Sequence, residues 1–541
     1  MTTVADPPAA ATPSSGGESK GLKEGALGLM SSTVIAISST APAYSLAAAL
    51  GLIAAVTGIG FHSPAIMLWA FVPMLFVAQG YARLNKEIPD CGTTFTWGAK
   101  TFGTYTGWMG GWGIVAADVI VMSNLAAIAG QYMFQLFGAD GLAGNKYWQT
   151  AAGVAWIVVM CGICYIGIEI SARIQYGLLI IEIVLLMVMS VVALSKVYGG
   201  SAPKADPADI KAHTPGAGPH HVVLGWFNPF GVSFSALSAG LLIAVFVYWG
   251  WDTAVSVNEE TRDRDKTPGR AAVLATVVLL VTYLLVTTST QAFAGLGANG
   301  IGLTNSNNSG DVLSVMGNAI FGANGHNFGW FLAKLLVFMV LTSSMASTLT
   351  TILPTARTTL SMAAYKAIPD RFARIHRKYL TPTWSTIGMG VISIAVYLVF
   401  EFGAYGILEN LISALGFPIA FYYAMTGFEC VWWYRKRLFD DWRTFFGAGL
   451  LPFLGAAILT ALFIKALVYY WSVANGGQGF FQIGGIVWAG VGSLVIGVIL
   501  MYVWRAIRPA YFKGEILNKD TPVLVPDDGS ALFPVLPGAE L

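Results

Sequence analysis

About a dozen apolar stretches, each near twenty residues long, constrain this chain more than any other feature. A helix that crosses the hydrocarbon core of a bilayer needs roughly 20 predominantly apolar residues. Candidates lie at 27–57, 63–82, 101–133, 148–166, 173–198, 234–258, 271–294, 329–354, 384–400, 406–429, 445–470 and 484–505. Lipid offers no partner for backbone amides and carbonyls, so a segment of this length satisfies them internally, as a helix. The fold expected is an all-α polytopic membrane protein with about 12 transmembrane helices. Composition agrees, since 55% of residues are hydrophobic and 11% charged, against about 25% charged in soluble domains. A net charge of +2 gives no footprint for nucleic acid, and four cysteines make no disulfide framework. Residues 1–24 and 509–541 read as disordered tails around a domain at 25–508.

An even number of spans puts both tails on one side. With that side cytoplasmic, the loops that collect Arg and Lys are the inner ones, and only Lys146, Lys196, Lys204 and Lys211 fall in outer loops. This is the positive-inside distribution of a multi-pass cell-membrane protein. Lys334 and Lys465 lie inside spans near their outer ends, where long side chains reach back to water.

Two spans are interrupted. The first reads LGLMSSTVIAISSTAPAYSLAAALGLIAAV, and Pro42 follows Ser38, Ser39, Thr40 and Ala41 at its middle. Proline lacks an amide donor, disfavours helix at the residue before it, and suits the first turn of a new helix. The sixth contains YWGWDT, where Gly250 relaxes the backbone and Asp252 suits the cap of a half-helix beginning at Thr253. The interruptions stand five spans apart, so the second set is inverted relative to the first. Interrupted segments at matching positions of two inverted halves point to the central site of a transporter. The halves are expected at about 25–200 and 230–430, with two extra helices at 445–505.

These residues resemble the amino acid–polyamine–organocation permease superfamily. The strongest likeness is YWGWDTAVSVNEETRDRDKTPGRA, with Gly250, Asp252, Glu259, Glu260, Thr261, Pro268 and Arg270. A second is IPDCGTTFTWGAKTFG, with Pro89 and Gly92, and a third is the loop bearing Arg357, Pro369, Phe372 and Pro382. The resemblance implies a LeuT-like five-plus-five inverted repeat with broken helices 1 and 6. It implies alternating access, a small amino acid or amine as substrate, and H⁺ symport or exchange, with Na⁺ as the alternative. No cofactor and no metal site is expected, since Cys161 and Cys164 lie in an apolar span without a second pair. Relatives carry glycines at the first break to hold a substrate carboxylate, whereas SSTAPAYS has none and offers the hydroxyls of Ser38, Ser39 and Thr40.

The expected substrate site is Ser38, Ser39, Thr40, Ala41 and Pro42 from the first break with Phe246, Tyr248, Trp249, Gly250 and Asp252 from the sixth. A carboxylate near the bilayer centre costs about 2.5–3.5 kcal/mol on insertion scales, so each needs compensation. Asp252 reads either as a structural cap or as an acid facing substrate or proton. Glu182 reads as a bond to a neighbouring helix or as a coupling acid, and it replaces a lysine found in some relatives. Asp118 reads first as a buried polar contact, then as a coupling candidate. Ser343, Ser344, Ser347 and Thr348 could hold an ion or simply join helices. A channel or membrane-embedded enzyme fits less well, because all six histidines fall in loops or at span ends. The sequence leaves substrate identity and oligomeric state open.

Overall fold

The computed structural model describes residues 20–308, 311–322, 328–403, 411–477, 479 and 481–523. Of the expected tails at 1–24 and 509–541, residues 1–19 and 524–541 lie outside the described residues. The chain is helical: α1 (Leu29–Thr40), α2 (Pro42–Ala55), α3 (Ser63–Glu87), α4 (Thr94–Thr101), α5 (Thr104–Leu136), α6 (Asp140–Ala143), α7 (Lys146–Ile166) and α8 (Ile168–Tyr198) form the first half. The second holds α9 (Pro207–Ala212), α10 (Phe234–Tyr248), α11 (Thr253–Ser256), α12 (Thr267–Ala294), α13 (Val312–Phe321), α14 (Phe328–Ala364), α15 (Thr383–Phe402) and α16 (Leu411–Tyr434). It is followed by α17 (Trp442–Thr444), α18 (Leu451–Tyr470), α19 (Val473–Gly476), α20 (Gly485–Ile507) and α21 (Pro509–Phe512).

Among the described residues, 11 helical segments are long and apolar enough to cross a membrane, with α1 and α2 taken together as one. The sixth span is the twelfth: α10 is apolar but only 15 residues long, because the chain stops being helical at the joint. Spans five positions apart pack against one another, α3 on α12, α5 on α14 and α7 on α15.

Residues 83–102 are too polar to span a bilayer, and close approach between helices explains how they are accommodated. Their second part is α4, which lies against α5 with Phe95, Trp97 and Lys100 buried. A Cβ on Gly107 of α5 would come within 2.5 Å of the Ala99 amide nitrogen and the Phe95 carbonyl oxygen, so only glycine admits α4 at this distance.

The expected eighth span ended at residue 354, and the helix instead runs on to Ala364. Arg357, assigned to a loop by its charge, is inside the helix and buried, with Nε 2.9 Å and Nη2 3.0 Å from the two carboxylate oxygens of Glu260. A two-pronged ion pair with planar geometry is what lets a guanidinium stay there. Likewise Lys20 and Leu22, placed in the polar tail by composition, are buried, and so are Tyr511, Phe512 and Leu517 beyond residue 508.

Candidate functional site

The first joint is a single residue. Ala41 takes the left-handed conformation, φ 44° and ψ 71°, between Thr40, the last residue of α1, and Pro42, the first of α2. An alanine there costs about 1–2 kcal/mol, and Pro42 supplies the pre-set φ that restarts the helix. The second joint is longer. Trp249 is extended at ψ 144°, Gly250 has φ 118°, and α11 begins only at Thr253. The joints touch: Ser39 Oγ is 2.9 Å from Thr253 Oγ1, and the Cα of Gly250 faces the Ser39 backbone so closely that a Cβ would fall 2.8 Å from its carbonyl carbon.

Asp252 occupies the position before α11, as expected of a cap, but its side chain makes no cap bond. Both oxygens turn instead to α16, accepting from the Tyr423 hydroxyl at 2.8 Å and the Tyr422 hydroxyl at 3.1 Å. The indole N–H of Trp249 donates to Tyr422, and Trp251 stacks on Tyr423 with centroids 5.0 Å apart. Phe246 meets Tyr44 edge-on at 6.1 Å, and Tyr248 meets Tyr283 at 5.0 Å. The two tyrosines of α16 were missed by the sequence reading; their signal was an adjacent Tyr-Tyr pair in an otherwise apolar span.

Glu182 lies where α2, α8 and α14 meet. Its Oε1 accepts the Ala43 amide at 2.6 Å and the Ser343 hydroxyl at 2.7 Å. It therefore caps the N-terminus of α2, the role first assigned to Asp252 at the other joint. Asp118 accepts the Thr355 hydroxyl at 2.5 Å, joining α5 to α14. Of the four hydroxyls considered for an ion, Ser343 serves Glu182 and Ser347 donates to the Ser39 carbonyl at 3.1 Å. Ser344 and Thr348 bond back onto α14 itself, to Leu341 and Ser344 carbonyls. Thr40 also bonds within its helix, to the Ile37 carbonyl, whereas the buried Ser38 hydroxyl has no hydrogen-bond partner among the described residues. The sequence offers a fourth intramembrane acid: Glu429 of α16 is fully buried, and among the described residues neither oxygen has a hydrogen-bond partner.

The model of the amino acid permease family matches residues 27–504. The chain belongs to that family. The permease is 26% identical over 403 residues to an uncharacterized transporter of Mycobacterium tuberculosis, covering 74% of this chain and 78% of the relative. It is 24% identical over 419 residues to the branched-chain amino acid permease BcaP of Lactococcus lactis (74% and 79% covered). With the low-affinity putrescine importer PlaP of Escherichia coli it shares 20% identity over 442 residues (81% and 86% covered).

A buried cluster of charges lies outside the broken-helix joints. Lys20 Nζ lies 2.8 Å from Asp90 and 2.6 Å from Glu259, with the Cys91 sulfur at 3.8 Å. Asp90, Cys91 and Glu259 are grouped closely enough to ligate a metal, yet they converge on this ammonium. Burial works against the charge on Lys20, but the two carboxylates outweigh it and hold the ammonium well above its ordinary range. Burial also opposes the charge on Asp90, and Lys20, the Gly92 amide and the Ser361 hydroxyl more than offset it, so this carboxyl sits below its usual value. Glu259 goes the other way, pushed up by burial against the pull of Lys20.

Proposed function

We propose that this permease is a secondary transporter that imports an amino acid or small organic amine by alternating access, coupled to H⁺. The observation that carries the reading is the meeting of two broken helices around buried acids, Glu182 at one joint and Asp252 at the other. Irregular backbone at membrane depth is tolerated only inside protein or beside a cavity, and intramembrane acids of this kind serve ion or proton steps. The names of relatives that move branched-chain amino acids and putrescine support the substrate class. The end carrying Lys20 and Arg357 faces the cytoplasm on this reading, since the basic loops gather there.

Uptake into proteoliposomes under an imposed inward proton gradient tests it. Asp252→Asn and Glu182→Gln should each lose roughly tenfold or more of gradient-driven uptake and flatten its dependence across roughly pH 5–8. Substrate exchange without a gradient should survive better in at least one of the two. If both variants keep the wild-type rate at every pH, neither acid carries the coupling proton and the reading fails.

A further inference from the structure

We infer that the cargo is a cationic amine that carries no carboxylate group. This rests on the transporter reading above and narrows its substrate class.

The N-terminus of a half-helix at membrane depth is the place where a transporter of this design holds an anionic group of its substrate, because free amides and the helix dipole converge there. In this chain α2 is the half-helix long enough to offer that seat, at 14 residues, and every backbone donor of its first turn is already used. Pro42 has no amide hydrogen. The Ala43 amide donates to Glu182 Oε1 at 2.6 Å, the Tyr44 amide to the Ser343 hydroxyl at 3.2 Å, and the Ser45 amide to the Ala41 carbonyl at 2.8 Å. The chain's own carboxylate occupies the position a substrate carboxylate would take. A second carboxylate there would meet like charge and find no donor.

The rest of the joint favours positive charge. Among the described residues neither Glu182 nor Asp252 pairs with a lysine or arginine. Glu182 Oε2 is buried and, among the described residues, accepts no hydrogen bond, which leaves an acceptor for an ammonium donor. The helices α1 and α10 both end at the joints, so their C-terminal carbonyls add negative partial charge. Tyrosine and tryptophan faces stand beside Asp252, and ring faces attract cations as well.

The test compares decarboxylated amines with their parent amino acids on the purified full-length protein: putrescine with ornithine, isoamylamine with leucine, and phenethylamine with phenylalanine. Binding is read by ligand-induced thermal stabilisation and by competition for uptake in proteoliposomes. At least one amine should bind tenfold or more tightly than its parent. A smaller ratio in every responding pair, or a reversed one, overturns the inference while leaving the transporter reading intact. Silence from all three pairs overturns both. Glu182→Ala, which frees the Ala43 amide, should bring the parent amino acid at least tenfold closer to the amine. An unchanged ratio in a folded Glu182→Ala protein overturns Glu182 as the excluding group. If that variant does not fold, the wild-type ratios decide.

Discussion

Lys20→Met is expected to expose Cys91 to maleimide at least tenfold faster than in the wild type. Cys91 is fully buried, and its amide donates to Glu259 Oε1 at 2.9 Å. Removing the ammonium leaves two buried carboxylates without their counter-charge, a loss of about 3–5 kcal/mol for a broken buried pair. The cost falls unequally. Asp90 keeps the Gly92 amide and the hydroxyls of Thr96, Ser361 and Tyr365, all between 2.8 and 2.9 Å. Glu259 keeps the Cys91 amide on Oε1 and the neighbouring Cys91 thiol, and among the described residues its Oε2 has no hydrogen-bond partner. The segment at Glu259 should therefore move first, taking with it the pairing of Leu27 with Glu260 and Arg262.

Faster labelling would report opening and not a more acidic thiol. Burial and the Glu259 carboxylate push the Cys91 thiol well above its ordinary range, while Lys20 pulls it down. Losing Lys20 in a closed structure would slow the reaction. In the wild type, Asp90 contributes stability that is present above its unfolded value and lost as pH falls through its lowered folded value. Lys20 contributes stability that is present below its unfolded value and lost as pH rises through its raised folded value. Between about pH 4 and pH 10 both stay charged, so neither of these two groups makes protection of Cys91 vary across neutral pH, and any variation there reports Glu259, which burial pushes up. Peptide mapping separates Cys91 from Cys161, Cys164 and Cys430. Equal labelling rates in variant and wild type would show that Lys20 does not hold this cluster closed.

The parts of this fold that sequence made legible are those with local signals. Apolar runs of spanning length located the helices, and Pro42 and Gly250 located the joints because proline and glycine act on their own backbone. The partners of the acids were not legible in the same way. Asp252 is bonded by tyrosines 170 and 171 positions away, and Glu182 by an amide 139 positions away. Nothing local to Asp252 distinguishes a cap from an acid clasped by another helix, which is why its cap role was expected and Glu182 was found to have it. Charge misled at two points for one physical reason. Lys20 and Arg357 looked like loop or tail residues, and each is buried because carboxylates distant in sequence neutralise it. Glu429 escaped notice because it falls at the last residue of the span expected at 406–429, while the helix continues to Tyr434.

Gly250→Ala is expected to abolish transport, by more than tenfold, and to lower thermal stability. Two costs add. At φ 118° an alanine is strained by roughly 1–3 kcal/mol. Its Cβ would also lie 2.8 Å from the Ser39 carbonyl carbon and Oγ and 2.9 Å from the Ser39 oxygen. Overpacking of that kind costs about 1–3 kcal/mol more, and here it strikes backbone that cannot retreat. The Ser39 carbonyl is held by the Ser347 hydroxyl at 3.1 Å, and the Ser39 hydroxyl is held by Thr253 at 2.9 Å. The clash must therefore separate the two joints, which also bear Glu182 and Asp252. Gly103→Ala is the matched control. Gly103 has φ 107° but nothing within 4 Å of its would-be Cβ, so the variant carries the strain alone. It should lose stability and keep uptake. If Gly250→Ala also keeps uptake while losing only as much stability as Gly103→Ala, the contact between the joints is not required for transport. If it loses uptake beyond what its stability explains, the close approach of the two broken helices is part of the working site.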